Sequence, residues 1–178
     1  MPQQVIDFWF SDATRKLWFK STPEFDRELT ARYRDTWERA NRGELDHWMQ
    51  TAQGCLALVI VLDQFPLNMF RGTAQSFVSE ARSREVAASA IEQGFDKTLS
   101  AEQQSFLYMP FMHSESQRIH EIALELFSEP GPEQSLRSEI RHKAIIDRFG
   151  RYPHRNKLLG RSSSPQEIEF LNQPGSSF

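Results

Sequence analysis

The stretch Cys55-Leu-Ala-Leu-Val-Ile-Val-Leu62 decides whether the chain folds as helices alone or as helices with a sheet. Such an unbroken apolar run fits a buried strand as well as a buried helix, because periodicity does not separate the two. No other segment has the pattern of a partner strand, and the chain contains no Asn-Gly or Asp-Gly hairpin turn. We therefore predict a central, fully buried helix over residues 44–64, which Pro66 ends at Phe65.

Amphipathic segments on both sides of this stretch predict further helices. Between Pro23 and Asn41, apolar side chains recur at three- and four-residue steps with charges between them. Later helices are predicted over residues 74–93, 100–108 (ended near Pro110), 114–127, 133–149 (with Leu136, Ile140, Ala144 and Ile145 facing inward) and 165–171 (opened by a Ser164–Glu167 capping box). The predicted fold class is all-α, with one domain over residues 1–178 in which antiparallel helices are joined by short loops.

Length and composition exclude several classes of protein. With 178 residues, 39% of them hydrophobic and 12% aromatic, the chain can bury a real core and is not disordered. Its start lacks the pattern of a signal peptide, and its longest apolar run is far short of the roughly 20 residues that cross a bilayer. We therefore expect a cytoplasmic protein that does not bind membranes. A net charge of −3 gives no reason to expect nucleic-acid binding, and the only cysteine, Cys55, excludes disulfide bonds within the chain.

One segment departs from this negative balance. The basic segment, Phe149–Arg161 (FGRYPHRNKLLGR), contains no acidic residue, and its glycines and proline rule out one regular helix. Charges of one sign on irregular backbone repel each other unless an anion or carboxylate groups offset them. The segment either forms the wall of a pocket for an anion or a polar metabolite, or makes structural salt bridges to acids such as Asp63, Glu115 or Asp147. The side chains that could face such a pocket are Arg151, His154, Arg155, Asn156 and Arg161.

A second polar cluster lies at the end of the predicted central helix. Asp63 and Gln64 end this helix, where the helix dipole disfavours a negative charge. Asp63 should therefore have a positively charged partner, and Arg71 is the nearest candidate in sequence. The alternative is that Asp63 only caps the helix or fixes the turn, and that nothing binds there.

A third cluster surrounds His113. Ser114 and Gln117 resemble a capping box, so His113 and Glu115 should lie at a helix N-terminus, which attracts anions. A neutral histidine in that position can donate a hydrogen bond or act as an acid or a base near pH 7. The alternative is that His113 packs among Phe and Met side chains and has only a structural role.

No metal or cofactor site is indicated. The histidines lack a two-histidine helical spacing such as H-E-x-x-H. The chain also has no G-x-x-x-x-G-K-[ST], no G-x-G-x-x-G and no G-x-S-x-G. We therefore expect neither a metal nor a cofactor, and neither a nucleotide-binding loop nor an esterase nucleophile.

Several motifs occur in a defined order along the chain. They are FWF at 8–10, LDQFP at 62–66, FRGT at 70–73, YMPF at 108–111 with HSE at 113–115, and RFGRYPHRN at 148–156. Together they resemble the bacterial family called domain of unknown function 924 and span essentially the whole chain. The resemblance implies a tetratricopeptide-like fold, in which stacked antiparallel helix pairs form a right-handed superhelical array, and it implies no established activity. Leu67 departs from the family, which commonly has a basic residue at that position, so we expect no charge there.

Three functions are compatible with these residues. The first is a binding protein whose pocket takes a small anionic or polar ligand. The second is a hydrolase- or transferase-type enzyme acting on an anionic substrate, in which His113 or His154 is a general base oriented by Asp63 or Glu115. The third is an interaction module that binds a partner peptide in the groove of a helical array. The ligand-binding candidates are Asp63, Gln64, Arg71, His113, Glu115, Arg151, His154, Arg155, Asn156 and Arg161, and the sequence does not indicate an oligomeric state.

Overall fold

The chain is built from helices in the computed structural model, which describes residues 1–177. These residues contain no β-strand, so the all-α prediction is confirmed. The α-helices are α1 Pro2–Trp9, α2 Asp12–Arg15, α3 Pro23–Asn41, α4 Ala52–Val59, α5 Phe65–Met69, α6 Glu80–Glu92, α7 Ala101–Met112, α8 Gln117–Ser128, α9 Glu133–Phe149 and α10 Pro165–Leu171. Short 3-10 helices lie at Asp46–Gln50, Ala74–Phe77, Asp96–Thr98 and Pro153–Arg155. The tetratricopeptide-like superhelical array and the single domain over 1–178 stay predictions.

Helices α4 and α5 form one continuous central helix through a π-helical turn at Ile60–Gln64. By length and composition the stretch Ala52–Met69 could cross a membrane, but 78% of it is buried inside the protein. Other helices therefore cover this stretch, as they cover the core helix of a globular domain. The helical interpretation of the apolar run is correct.

The predicted end of this helix at Phe65 is wrong, because Pro66 lies inside the continuous helix. Proline lacks an N–H group and so leaves free the carbonyl four residues earlier. That carbonyl belongs to Leu62, and it accepts a hydrogen bond of 2.6 Å from Ser79 Oγ. A tertiary contact thus replaces the bond that Pro66 cannot make. The helix also starts later than predicted, since the side chain of Thr51 caps α4.

Helix α7 likewise continues past the proline at which we predicted its end. Pro110 lies inside the helix, and every residue from Phe106 to Met112 is buried. Burial of these large side chains outweighs the cost of about 3 kcal/mol for an interior proline.

The predicted capping box of α8 is wrong, because Ser116 is the N-cap residue. Ser114 is buried instead, and its carbonyl oxygen accepts a hydrogen bond from His120.

Helices α3, α9 and α10 have the predicted bounds, and the Ser164–Glu167 capping box is present. The predicted inward face of α9 is only partly correct. Ile145 is buried, but Ile140 is 53% exposed, and the polar residues Glu139 and His142 are buried instead. The helix predicted over 74–93 is interrupted, because Ala74–Phe77 forms a 3-10 turn before α6 begins.

One hydrophobic core joins α1 with the helices from α3 to α8. Aromatic rings pack at its centre: the centroid of the Trp9 ring lies 5.5 Å from that of Phe65 and 5.8 Å from that of Phe106. A smaller cluster around Ile146 and Tyr152 packs the end of α9 against the segment that follows. The candidate site lies where this C-terminal part meets α5 and α7.

Candidate functional site

A cleft of about 840 Å³ opens between α5, the C-terminal end of α7, α9 and the basic segment. The loop Trp18–Ser21 forms another part of its wall. A cleft of this volume suits a small molecule. The predicted site residues that line it are Gln64, Arg71, His113, His154 and Arg155. Those that do not line it are Asp63, Glu115, Arg151, Asn156 and Arg161.

Asp63 lies behind the wall of this cleft, in the π-helical turn. Its side chain is fully buried, and Oδ1 is 3.0 Å from Nδ1 of His113. Gln64 Nε2 donates a hydrogen bond of 2.6 Å to Oδ2 of the same carboxylate. The charged partner of Asp63 is therefore His113 and not Arg71, the nearest candidate in sequence. Single π-helical turns inside α-helices are frequent at functional sites.

Arg71 pairs with a different acid at the rim of the cleft. Its Nε and Nη2 atoms contact the carboxylate of Asp26 at 2.7 and 3.2 Å. Nη2 also donates to Asn68 Oδ1 at 2.9 Å. The Arg71 side chain is 57% exposed, so its charge is held in place but stays open to solvent.

His113 follows the last residue of α7 and is 15% exposed. It therefore lies at a helix C-terminus, and not at the helix N-terminus that the sequence predicted. Burial lowers the pKa of His113, but the carboxylate of Asp63 outweighs burial, and the net shift is upward from 6.5. The negative end of the helix dipole favours the same charged form. The raised pKa favours the imidazolium form of His113. Since Nδ1 is bonded to Asp63, Nε2 is the ring nitrogen left to contact a ligand in the cleft that the residue lines.

Arg155 brings a deeply buried cation to the cleft, since only 6% of its side chain is exposed. Nη1 and Nη2 contact the carboxylate of Glu80 at 3.0 and 2.9 Å, and Nη2 donates to the backbone oxygen of His113 at 3.1 Å. The guanidinium carbon lies 4.4 Å from the ring centroid of Phe77 and 4.8 Å from that of Tyr152. Burial raises the pKa of Glu80 in spite of Arg155. Sequence reasoning missed Glu80, whose only signal is its position in the first turn of α6.

The other arginines of the basic segment make salt bridges away from the cleft. Arg161 donates two hydrogen bonds of 2.6 and 2.8 Å to Glu115 and one of 3.0 Å to Asn156. Arg151 donates two of 2.7 and 2.8 Å to Glu167. Burial opposes the ionisation of Glu115, but hydrogen bonds from Arg161 and a backbone N–H outweigh it and hold the pKa of Glu115 below its ordinary value. These contacts fit the salt-bridge interpretation of the segment, whereas Arg155 and His154 fit the pocket interpretation.

A second histidine–carboxylate pair lies outside the cleft. Nδ1 of His120 is 2.7 Å from Oε1 of Glu139, and both side chains are fully buried. Nε2 of His120 contacts the backbone oxygen of Ser114 at 2.8 Å and the hydroxyl group of Tyr152 at 3.1 Å. The pair therefore ties α8 and α9 to the turn that carries His113.

Two further histidines, His142 and His154, line the cleft in their neutral form. Nδ1 of His142 donates to the backbone oxygen of Ser138 at 2.7 Å, and its ring centroid lies 6.4 Å from that of His113. Burial lowers the pKa of His142 to about 3. Burial and the charge of Arg155 lower the pKa of His154 to about 4. The cleft thus holds neutral histidines next to the charged His113.

We predict that His142 makes the protein sensitive to acid. Its pKa is lower in the folded than in the unfolded chain, so only the unfolded chain takes up this proton between pH 6.5 and about 3. The contribution to stability is complete above pH 6.5 and falls by about 3 kcal/mol as the pH drops to about 4.5. In urea titrations at both pH values, His142→Gln should lose less stability on acidification than the wild type. His47→Gln, at an exposed histidine, should behave like the wild type; equal losses in all three proteins would contradict the prediction.

Comparison with known proteins places the chain in a family. The sequence profile of the family described as "Bacterial protein of unknown function (DUF924)" matches residues 5–175. The chain belongs to DUF924. A solved structure of a protein of unknown function from Agrobacterium tumefaciens is similar to it, with 37% sequence identity, a TM-score of 0.91 and 96% of each chain covered. No curated protein matches the chain. DUF924 membership establishes the family and the fold, but neither similarity names a ligand or a reaction.

The DUF924 motifs that are far apart in sequence meet at this cleft. The LDQFP motif carries Asp63 and Gln64, and the HSE motif carries His113, 50 positions from Asp63. The RFGRYPHRN motif carries His154 and Arg155. Motifs that are far apart in sequence therefore meet at one cleft, together with Glu80 behind its wall and His142 of α9, which no motif contains.

Proposed function

We propose that the chain is an enzyme that acts on a small molecule in the cleft, with His113 as a general acid and Asp63 as the residue that orients it. The observation that carries the proposal is the hydrogen bond of 3.0 Å between buried Asp63 and His113. A carboxylate bonded to one ring nitrogen fixes the orientation of the imidazole, so that the other nitrogen is presented to a substrate. In His113, which lines the cleft, Nε2 is the nitrogen that Asp63 leaves for a substrate in this way.

The position of Asp63 supports a functional rather than a structural role. Burial of a carboxylate costs several kcal/mol unless the group is paired and hydrogen-bonded. The residues that precede Asp63 on the helix, from Cys55 to Leu62, are all apolar and buried. The partner of the carboxylate is a side chain that opens onto a cleft, and a histidine with a perturbed pKa in a cleft is typical of acid–base catalysis.

The charge state of His113 sets the direction of proton transfer. As an imidazolium ion it donates the proton on Nε2 to a leaving group or to a developing negative charge, while Asp63 keeps the ring in place. Hydrolase- and transferase-type reactions both contain such a step. The general-base role that the sequence suggested belongs to the later part of such a cycle, after His113 has given up its proton.

The geometry of the cleft gives less support to a binding protein without turnover and to a peptide-binding module. A binding protein without turnover would use the same cleft, but it would not need a carboxylate bonded behind the histidine. A peptide-binding module predicts a polar cluster whose groups are all paired internally, whereas the contact of His113 with Asp63 uses Nδ1 and leaves Nε2 for a ligand in the cleft. A cytoplasmic location remains part of the proposal.

The proposal is tested by incubating the purified protein with a low-molecular-weight extract of bacterial cells and following the extract by mass spectrometry. The wild type should deplete at least one compound. His113→Gln should deplete the same compound at least about 10²-fold more slowly, because it lacks the proton donor. For the compound identified, kcat/KM should fall as the pH rises through the raised pKa of His113, above 6.5, since only the charged ring donates.

A control variant and a variant of Asp63 complete the test. His47→Gln changes an exposed histidine and should convert the compound at the wild-type rate. Asp63→Asn keeps the shape of the side chain but removes its charge, so it should lower both the rate and the pH at which activity is lost. Conversion by folded His113→Gln at the wild-type rate, or no conversion by any protein, would reject the enzyme proposal.

A further inference from the structure

The lining of the cleft carries charge of one sign. None of its residues within the described part of the chain is Asp or Glu, although the whole chain has 24 acidic and 21 basic residues. Lys20, Arg71 and Arg155 line it as cations, and His113 adds the charge of its imidazolium ring. A concave surface lined by one sign of charge raises the local concentration of ions of the opposite sign.

The acids that neutralise these cations lie behind them. Asp26 holds Arg71 at 2.7 Å, and Glu80 holds Arg155 at 2.9 Å. These acids keep the positively charged groups in position without facing the cleft. Arg155 also has a buried Nε atom with no hydrogen-bond partner among residues 1–177, so its guanidinium group is not fully satisfied by the protein.

Much of the remaining wall is apolar, beside the neutral polar side chains of Ser, Asn, Gln and His residues. The apolar side chains that line the cleft include Trp18, Phe19, Leu67, Phe77, Met112 and Leu158. Phe19 is 75% exposed, which leaves a large aromatic surface in water beside the charged groups. A ligand with an apolar body would cover this surface and gain free energy from its burial. A small inorganic anion would leave it exposed.

We propose that the cleft binds an amphipathic anion, with a carboxylate or phosphate head group at His113 and the lining cations and an apolar body against Trp18, Phe19 and Leu158. The assignment rests on the proposed function, because it names the substrate class of the same cleft. The forks of Arg71 and Arg155 already hold Asp26 and Glu80, so the donors left for such a head group are the ammonium group of Lys20, the Nε2–H of His113 and the N–H groups of Arg71 that do not contact Asp26. The acidic group of such a ligand would bind the positively charged part of the wall, and its apolar chain or ring would pack against the apolar part.

The test is isothermal titration calorimetry with four matched probes that share an eight-carbon chain: octanoate, octyl phosphate, octanol and octylammonium. Both anions should bind about tenfold more tightly, or better, than octanol and octylammonium, because a charged head group strengthens its hydrogen bonds. The ratio between octanoate and octyl phosphate then tells which head group is preferred. Acetate should bind much more weakly than octanoate, because it lacks the apolar body.

Charge variants locate the binding. Arg71→Gln and Lys20→Gln should each weaken octanoate binding several-fold, whereas Arg27→Gln, which removes an equal charge from an exposed site outside the cleft, should not. Equal affinity for octylammonium and octanoate, or equal affinity for acetate and octanoate, would overturn the assignment.

The outcomes also separate this inference from the enzyme proposal. If the anions bind selectively and nothing in the cell extract is converted, the ligand class stands and the enzyme proposal fails. If a compound is converted but the anionic probes show no preference over octanol, the enzyme proposal stands and the ligand class fails.

Discussion

Replacement of Glu139 by alanine should lower the free energy of unfolding by about 3–5 kcal/mol, because it breaks a buried histidine–carboxylate pair. Oε1 of Glu139 lies 2.7 Å from Nδ1 of His120, and neither side chain is exposed. The variant leaves this ring nitrogen buried without its partner and leaves a cavity where the carboxyl group stood. Since a whole domain is stable by roughly 5–15 kcal/mol, such a loss is a large fraction of the total.

Urea unfolding followed by tryptophan fluorescence measures this effect. Glu139→Gln keeps the shape of the side chain and an oxygen that accepts a hydrogen bond, so it should cost clearly less than alanine. Glu125→Ala, at an exposed glutamate of α8, should change stability by no more than about 0.5 kcal/mol. If Glu139→Ala cost as little as Glu125→Ala, the buried pair would not stabilise the fold.

The substitution Gly54→Ala should destabilise the protein by at least about 3 kcal/mol, although alanine is the better helix former at an ordinary helical position. Gly54 lies in the first turn of α4, and a Cβ atom there would be 1.9 Å from the backbone oxygen of Trp48 and 2.8 Å from its carbonyl carbon. These are backbone atoms, so the contact cannot be relieved by a side-chain rotation. The 3-10 segment Asp46–Gln50 and the central helix would have to move apart.

Gly94→Ala is the matched control for this substitution. Gly94 follows α6 with a φ angle of 69°, and a Cβ atom there would meet nothing within 4 Å. Alanine at that position should cost only the strain of a left-handed backbone, about 1 kcal/mol. Thermal unfolding of the two variants should therefore show a much larger loss at Gly54, and similar losses at both positions would contradict the close contact with Trp48.

The sequence predicts helices well where their ends are set by neighbouring residues. The bounds of α10 follow from the Ser164–Glu167 capping box, because a capping box is made within one turn of the chain. The end predicted at Pro66 fails because the carbonyl it leaves free is satisfied by Ser79, 17 residues away from Leu62. A rule based on local sequence cannot include such a tertiary contact.

The contacts within the candidate site are even harder to predict from local sequence than the helix ends. The sequence singles out Asp63 and His113, each as part of a polar cluster at a helix end, and includes Asp63 among the acids that could orient His113. It also offers Arg71 as a partner of Asp63 and does not choose between these pairings. Their pairing depends on the π-helical turn and on the packing of α7, which bring together residues 50 positions apart. Glu80 carries no sequence signal beyond an acidic residue in a first helical turn, so the acid that holds Arg155 could not be predicted.

The π-helical turn at Ile60–Gln64 has a consequence for how this protein can change by insertion and deletion. Such a turn holds one residue more than an α-helical turn, so everything after it is rotated by about 100° relative to an unbroken α-helix. Removal of one codon from this stretch would restore a regular helix of nearly the same apolar composition. The carboxylate of Asp63 would then no longer point toward His113. One additional residue in a single turn therefore determines whether this helix positions a buried acid or has only a structural role.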